Sequence, residues 1–246
     1  MKAIIYAAGR GTRLQSDQPK ILLEFGGRTL LEWHALRLSE AGVRDVVVVT
    51  GHLRNQIAEM LPGICARYDL ALRQIVNLRF QEGSVLSLEA SLPEIENSSA
   101  PVLLMDADVF YPTGMLERLI KSASGTALLL DREFSTEDDD PMLVPVKNGR
   151  LIDFRKQWSG DADFVGESIG FFKIAPTDFP LLIRETHARS CNSICPDSYD
   201  DVLRKLVLAG RFGFEDVTGL PWIEIDFPAD VVHARDRVVP MIVRSA

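Results

Sequence analysis

The sequence predicts an α/β fold, with a mixed but mostly parallel sheet covered by helices on both faces and a smaller lobe in the second half. Three observations carry this. Short apolar runs alternate with stretches of helical spacing as far as about residue 125, the pattern of parallel strands joined by crossover helices. Those runs lack polar alternation, as expected of strands buried on both faces. From about residue 126 the order changes to strands, a hairpin signal and two successive helices, which makes the sheet mixed.

Strands are predicted at residues 2–7 (KAIIYA), 45–50 (DVVVVT), 71–76 and 102–105 (VLLM). Between and after them lie three helices. Residues 29–41 place Leu30, Leu31, His34, Leu38 and Ala41 on one stripe before Gly42; residues 84–92 begin at Ser84; residues 112–122 carry Met115, Leu116, Leu119 and Ile120 at helical spacing. Further strands are predicted at 126–131, 142–147 and 151–154, the last two flanking Asn148-Gly149, a hairpin dipeptide, and at 168–173. Helices at 177–189 and 198–209 precede strands at 212–217 and 222–226 and a last helix from about Pro228. No linker separates the halves, so one domain over residues 1–246 is expected.

The balance of 27 basic and 35 acidic residues, formally −8, argues against adhesion to nucleic acid or an anionic membrane, and neither is expected as a partner. No apolar stretch reaches the roughly 18 residues needed to span a bilayer. The beginning of the chain lacks a signal-peptide pattern, and three cysteines (Cys65, Cys191, Cys195) suggest no disulfide scaffold, so a cytoplasmic location is expected. His34, His52, His187 and His233 show no zinc or Ser-His-Asp spacing, and Asp138-Asp139-Asp140 reads as a solvated loop.

The chemistry concentrates at strand ends. After the first strand come Ala7, Ala8, Gly9, Arg10, Gly11, Thr12, Arg13 and Leu14, then Pro19-Lys20. A glycine-rich turn there presents backbone N–H groups to anionic oxygens with no Cβ to hold a phosphate away, and Arg13 and Lys20 add fixed charge. A dinucleotide fingerprint would need a third glycine where Leu14 stands; a P-loop would need Gly-Lys-Ser/Thr. Asp106 and Asp108 follow VLLM, at the sheet edge where open α/β folds bind ligands, and the alternation of extended backbone points both to one side. Such a pair beside a phosphate loop suits Mg²⁺, a hard cation that prefers oxygen ligands. Glu224 and Asp226 repeat the spacing in IEID, although either pair also reads as loop or edge-strand carboxylates. Gly83-Ser84 reads equally as a base contact or a helix cap. In the second half Trp158, Tyr199 and Asp200 read by default as buried aromatic packing, and otherwise as the aromatic faces and carboxylate that suit an ammonium group.

Residues 7–14 with Pro19-Lys20, followed by Gly26-Gly27, Leu30-Leu31 and a helix, resemble the signature of the nucleotidyltransferase superfamily that includes sugar-1-phosphate and molybdenum-cofactor nucleotidylyltransferases. Asn77, Gly83-Ser84-x-x-Ser87-Leu88, Asp106-Ala107-Asp108 and Glu224-Ile225-Asp226 occur in the order most similar to bacterial phosphocholine cytidylyltransferases and their phosphonoalkyl relatives, with Arg132-Glu133 and Tyr199-Asp200 as weaker echoes. The resemblance implies a Rossmann-like fold whose nucleotide-binding half covers about residues 1–130 and whose acceptor-binding half covers about 131–246. It implies nucleotide contacts from Ala7, Ala8, Gly9, Gly11, Thr12, Arg13, Asn77, Gly83, Ser84 and Asp106, and catalytic roles for Arg13 and Lys20. Asp108 and Asp226 become the metal ligands with Glu224 in reserve, while Lys156, Glu167, Tyr199 and Asp200 face the acceptor.

Mg²⁺ is the implied cofactor. CTP, or another nucleoside triphosphate, is the implied donor, and a small phosphate or phosphonate such as phosphocholine or 2-aminoethylphosphonate the acceptor. A sugar-1-phosphate or inositol phosphate acceptor is the alternative, and a nucleotide-binding regulatory protein without turnover is the alternative of another class. A homodimer is compatible with all three.

Overall fold

Four parallel strands lead the chain: β1 (Lys2–Ala7), β2 (Asp45–Thr50), β3 (Ala71–Val76) and β4 (Val102–Asp106), side by side in the order β3-β2-β1-β4. The computed structural model describes residues 1–14, 16–134, 141–191 and 198–243, so Asp138-Asp139-Asp140 and Cys195 lie outside the described residues. Five more strands complete the sheet: β5 (Thr126–Asp131), β6 (Leu143–Lys147), β7 (Arg150–Leu151), β8 (Phe164–Ile174) and β9 (Phe212–Asp216). β8 runs antiparallel to β4, β5 and β6, and β9 lies parallel to β5. Apart from β8 and the short β7, every strand therefore points the same way. Asn148 and Gly149 both take positive φ, 51° and 69°, in the tight turn that joins β6 to β7.

Two cores sandwich the sheet. Along β1, Ala3 and Ile5 face one core and Ile4 the other. The first core receives α1 (Leu30–Glu40), α2 (Arg54–Tyr68), α4 (Thr113–Lys121) and the C-terminal helical run that starts at Pro228; the second receives α3 (Val85–Glu96), α5 (Phe179–Ser190) and α6 (Tyr199–Leu208). Thr29 caps α1 reciprocally with Glu32, which starts the helix where the sequence places it.

Several boundaries differ from expectation. α2 is not among the expected elements; burial of Ile57, Leu61, Ile64 and Tyr68 outweighs the backbone bond lost at Pro62. α3 likewise continues past Pro93 to Glu96. The strand expected at 151–154 shrinks to Arg150–Leu151, while the one expected at 168–173 extends over Phe164–Ile174. The strand expected at 222–226 is only Ile223–Glu224, and it pairs with Val109–Phe110 in a separate ribbon rather than with the main sheet. No described helix is long and apolar enough to cross a membrane. Cys65 and Cys191 are free thiols.

Candidate active site

The loop after β1 is shaped by two short helical turns. Thr12–Leu14 is pinned by buried Leu14, and Lys20–Leu22 by buried Ile21 and Leu22, so Lys20 stands on an anchored base. Gly11 holds φ +59, and a Cβ there would lie 3.0 Å from Lys20 Cγ; glycine lets the loop pass this close to the lysine. Ala7, Ala8, Gly9, Gly11 and Lys20 line a cavity of about 250 Å³ together with Tyr6, Phe80, Ser84, Ser87, Asp106 and Asp108.

Asp106 ends β4 and Asp108 follows through one alanine. The Val109–Phe110 ribbon then zips this segment to Ile223–Glu224, and the Ile225 N–H donates to the Asp108 carbonyl at 2.9 Å. Backbone pairing thereby brings the two acidic segments together, 116 positions apart as counted from Asp108 to Glu224. Asp108, Glu224 and Asp226 each offer an oxygen within 4.8 Å of the others. Lys20 Nζ donates to Asp108 at 3.0 Å and to Asp226, and Arg13 donates to the other oxygen of Asp226 at 2.7 Å. Burial works against the Lys20 ammonium, but Asp108 and Asp226 outweigh it and raise its pKa. Enclosure by the cleft walls pushes Glu224 up to about 9, with Asp108, Asp106 and Asp226 adding repulsion, although its outer flank remains open to solvent.

Asp106 is fixed from two sides. The Tyr199 hydroxyl donates to its Oδ1 at 2.5 Å. On the other side Gly170, at φ +77 in an irregular stretch of β8 between Ser168 and Phe172, leaves a gap: a Cβ there would fall 2.1 Å from Asp106 Oδ2. Tyr199 opens α6, and its backbone N–H donates to Ser84 Oγ at 3.0 Å. Ser84 Oγ also lies 3.1 Å from Ser198 Oγ, the hydroxyl that caps α6.

A wider trough of about 1300 Å³ adjoins the first cavity and shares Tyr6, Asp106, Asp108 and Tyr199 with it. Arg13, Lys156, Glu167, Asp200, Glu224 and Asp226 line it, joined by residues the sequence did not single out for the site, notably Trp222, Phe227 and His233. Glu133, noted only as an echo, lines it too. Asp131 organises that end by accepting from Trp222 Nε1 at 2.7 Å and from the Glu133 N–H at 2.9 Å. Asp200 accepts from the Ser198 hydroxyl at 2.6 Å, and burial raises its pKa.

Other expected residues stand back. Asn77 is buried; its amide donates to Ser87 Oγ at 3.1 Å and accepts from the Arg79 N–H at 2.8 Å, so it orders the loop before α3. Thr12, Gly83 and Trp158 line neither cavity, and the Trp158 ring packs against Gly160. Ser84 forms no side-chain cap on its own helix. Phe80, missed in the sequence, fits because residue 51 is glycine: a Cβ there would meet the Phe80 ring at 2.6 Å.

His34 is wholly buried beneath the acidic turn, and burial pulls it down to about 4 although the Ala107 carbonyl opposes the shift. Its folded value is thus below the roughly 6.5 of an unfolded chain. Above pH ~6.5 the ring is neutral in both states and adds no pH dependence; below it the unfolded chain takes the proton and stability falls until about pH 4. Urea unfolding should show the wild type losing about 2–3 kcal/mol more than His34→Gln between pH 7.5 and 4.5. Equal losses would mean that the ring titrates normally.

Residues 3–154 match the model of the MobA-like NTP transferase domain. The CTP:phosphoglutamine cytidylyltransferase of Campylobacter jejuni is 24% identical over 191 residues, which is 71% of this chain and 73% of that protein. The CMP-5'-(3-aminopropyl)phosphonate synthase of Streptomyces rubellomurinus is 26% identical over 265 residues, covering 98% of this chain and 39% of that protein. The inositol-1-phosphate CTP transferase of T. maritima superposes with a TM-score of 0.78 at 21% identity, over 99% of this chain and 95% of that one. The chain spans about a third of the length of the curated relatives it matches first, 35% and 38% of two bifunctional GlmU proteins. With 152 of 246 residues inside the match, and the loop after β1 and the acidic turn after β4 both within it, the chain belongs to the MobA-like NTP transferase family.

Proposed function

We propose that the protein is a Mg²⁺-dependent cytidylyltransferase that joins the CMP unit of CTP to a small phosphate or phosphonate acceptor and releases pyrophosphate. The shared border of the two cavities carries this reading: a nucleotide in one and an acceptor in the other would meet over Asp106, Asp108 and Tyr199. An acceptor oxygen forms a bond to the α-phosphorus while the bond from that phosphorus to the α–β bridging oxygen breaks, its electron pair leaving with pyrophosphate. The attacking oxygen is already anionic near neutral pH, so no protein base is required. The chain's task is to position two mutually repelling anions: the loop amides hold phosphate oxygens, and Lys20 and Arg13 neutralise charge as it develops. Three convergent carboxylates are the hard oxygen donors that Mg²⁺ takes, so Asp108, Glu224 and Asp226 would hold it. The ion would supply Lewis-acid polarisation of phosphate oxygens.

For the acceptor, the trough lining supports a molecule that is cationic at one end. Apart from the three carboxylates assigned to Mg²⁺, five lining residues are acidic and two, Arg13 and Lys156, are basic, with the Trp222 and Tyr199 rings among them. An ammonium-bearing phosphate or phosphonate, of the 2-aminoethylphosphonate or phosphocholine type, suits that charge pattern. The names of the phosphoglutamine cytidylyltransferase and the aminopropylphosphonate synthase support the same choice. The fold likeness to an inositol-1-phosphate transferase keeps a polyol phosphate as the second reading.

Pyrophosphate release with Mg²⁺, each of the four common nucleoside triphosphates and a panel of phosphocholine, 2-aminoethylphosphonate, glycerol phosphate, inositol phosphate and hexose-1-phosphates tests this. Turnover is expected with CTP and one ammonium-bearing acceptor. Turnover confined to inositol or sugar phosphates would replace that acceptor with the second reading, and silence from well-folded protein across the panel would count against the proposed substrates.

A further inference from the structure

The turn that carries Asp106 and Asp108 is held from beneath by a residue the scheme above leaves unused. His34, on α1, is 0% exposed. Its Nε2 lies 3.1 Å from the Ala107 carbonyl oxygen and its Nδ1 3.3 Å from the Tyr111 hydroxyl. A carbonyl only accepts, so Nε2 carries the proton; in the neutral ring Nδ1 is then the acceptor, and Tyr111 donates to it. The Tyr111 ring is itself wedged edge-on against Phe171 at 4.6 Å, on the strand that also supplies Gly170.

Ala107 stands between the two aspartates, and the next carbonyl, that of Asp108, accepts from the Ile225 N–H. Successive carbonyls are thus tied to different walls, one to α1 and one to the segment bearing Glu224 and Asp226. A peptide plane rotates as a unit, so freeing the Ala107 carbonyl would change the angle between the Asp106 and Asp108 side chains. We infer that His34 is a positioning residue: its Nε2–H sets the Ala107 peptide and with it the aim of Asp108 towards Glu224 and Asp226. This rests on the metal-assisted reading above. Residues that orient ligands in this way typically alter metal affinity 10- to 100-fold when removed. Filling the core at this point requires only volume, whereas the bond to Ala107 requires a donor, and that difference makes the role testable.

Mn²⁺ serves as a spectroscopic probe, titrated by electron paramagnetic resonance into the protein with a non-hydrolysable CTP analogue. His34→Leu, which keeps volume and removes the donor, should weaken Mn²⁺ binding about 10-fold while the metal-free nucleotide Kd moves less than about 2-fold. His34→Gln, whose amide restores a donor, should recover most of the loss, and Tyr111→Phe should show a smaller weakening of about 3-fold. Unchanged Mn²⁺ affinity in folded His34→Leu would overturn the proposal; so would equal impairment by Leu and Gln, the mark of packing alone. Should His34→Leu fail to fold, wild-type affinity in Tyr111→Phe overturns it instead. A wild-type protein that binds no Mn²⁺ would remove the metal reading and this inference with it, whereas normal wild-type binding untouched by the variants removes only the role of His34.

Discussion

Asp108→Ala is expected to lower kcat by about 10³-fold or more, roughly 4 kcal/mol of transition-state stabilisation, with the fold retained. Asp108 sits where the acidic segments converge, within 4.8 Å of oxygens of Glu224 and Asp226, and accepts from Lys20. Its loss removes a proposed ligand and one of the two carboxylates that hold Lys20, so both sources of charge neutralisation at the phosphates weaken together. The backbone does not depend on this side chain: the Asp108 carbonyl still accepts from the Ile225 N–H, and Lys20 retains Asp226. Circular dichroism and thermal unfolding should therefore match the wild type while pyrophosphate release disappears. Wild-type rates with Mg²⁺ would show that the carboxylate cluster is not where the chemistry occurs.

Gly170→Ala should impair both stability and turnover. At φ +77 an alanine is strained by about 1–2 kcal/mol, and its Cβ would occupy the place of Asp106 Oδ2. Asp106 must then swing away and break its bond to the Tyr199 hydroxyl, which brings the total to about 2–4 kcal/mol. For a chain of this size that is a fall in Tm of roughly 5–15 °C. Displacing the border residue by about an ångström should cost about 10²-fold in kcat/KM. Gly149→Ala is the control: its φ of +69 imposes similar backbone strain, but no atom lies within 4 Å of the added Cβ. It should lose about 1 kcal/mol and no activity. If the two variants behaved alike, the contact with Asp106 would carry no weight.

The strand-end motifs are readable from sequence because their chemistry is local: a glycine turn after an apolar strand, and carboxylates two residues apart on extended chain. Arg13, Lys20, Asp108 and Asp226, which lie in those motifs and receive their roles from the resemblance, all meet in space. What the sequence hides depends on partners far along the chain. α2 is not among the expected elements; Ile57, Leu61, Ile64 and Tyr68 do recur at helical spacing, but it is their packing into a core built by distant segments that offsets Pro62. Gly170 looks like any strand glycine until Asp106 is placed beside it, 64 positions away. Glu224 and Asp226 could be read as a carboxylate pair, but not that a two-residue ribbon, rather than a sheet strand, would deliver them. Asn77, for which the resemblance implies a nucleotide contact, spends both halves of its amide on the loop before α3, a use that only the fold displays.

β8 bears on how such enzymes could be recombined. Phe171–Ile174 of this strand lie against β4 from the first half of the chain, Phe164–Glu167 lie against β6 from the second, and β5 follows much of its opposite edge. A graft that replaced everything after residue 131 with the corresponding part of a relative would bring in a foreign β8 and ask it to zip onto resident β4 and β5 together, with a glycine in register under Asp106. Modularity here follows edges of a strand rather than a position in the chain. Exchanges confined to the loops that rim the trough leave that seam closed, and those are the transplants that should yield folded chimaeras with altered acceptor choice.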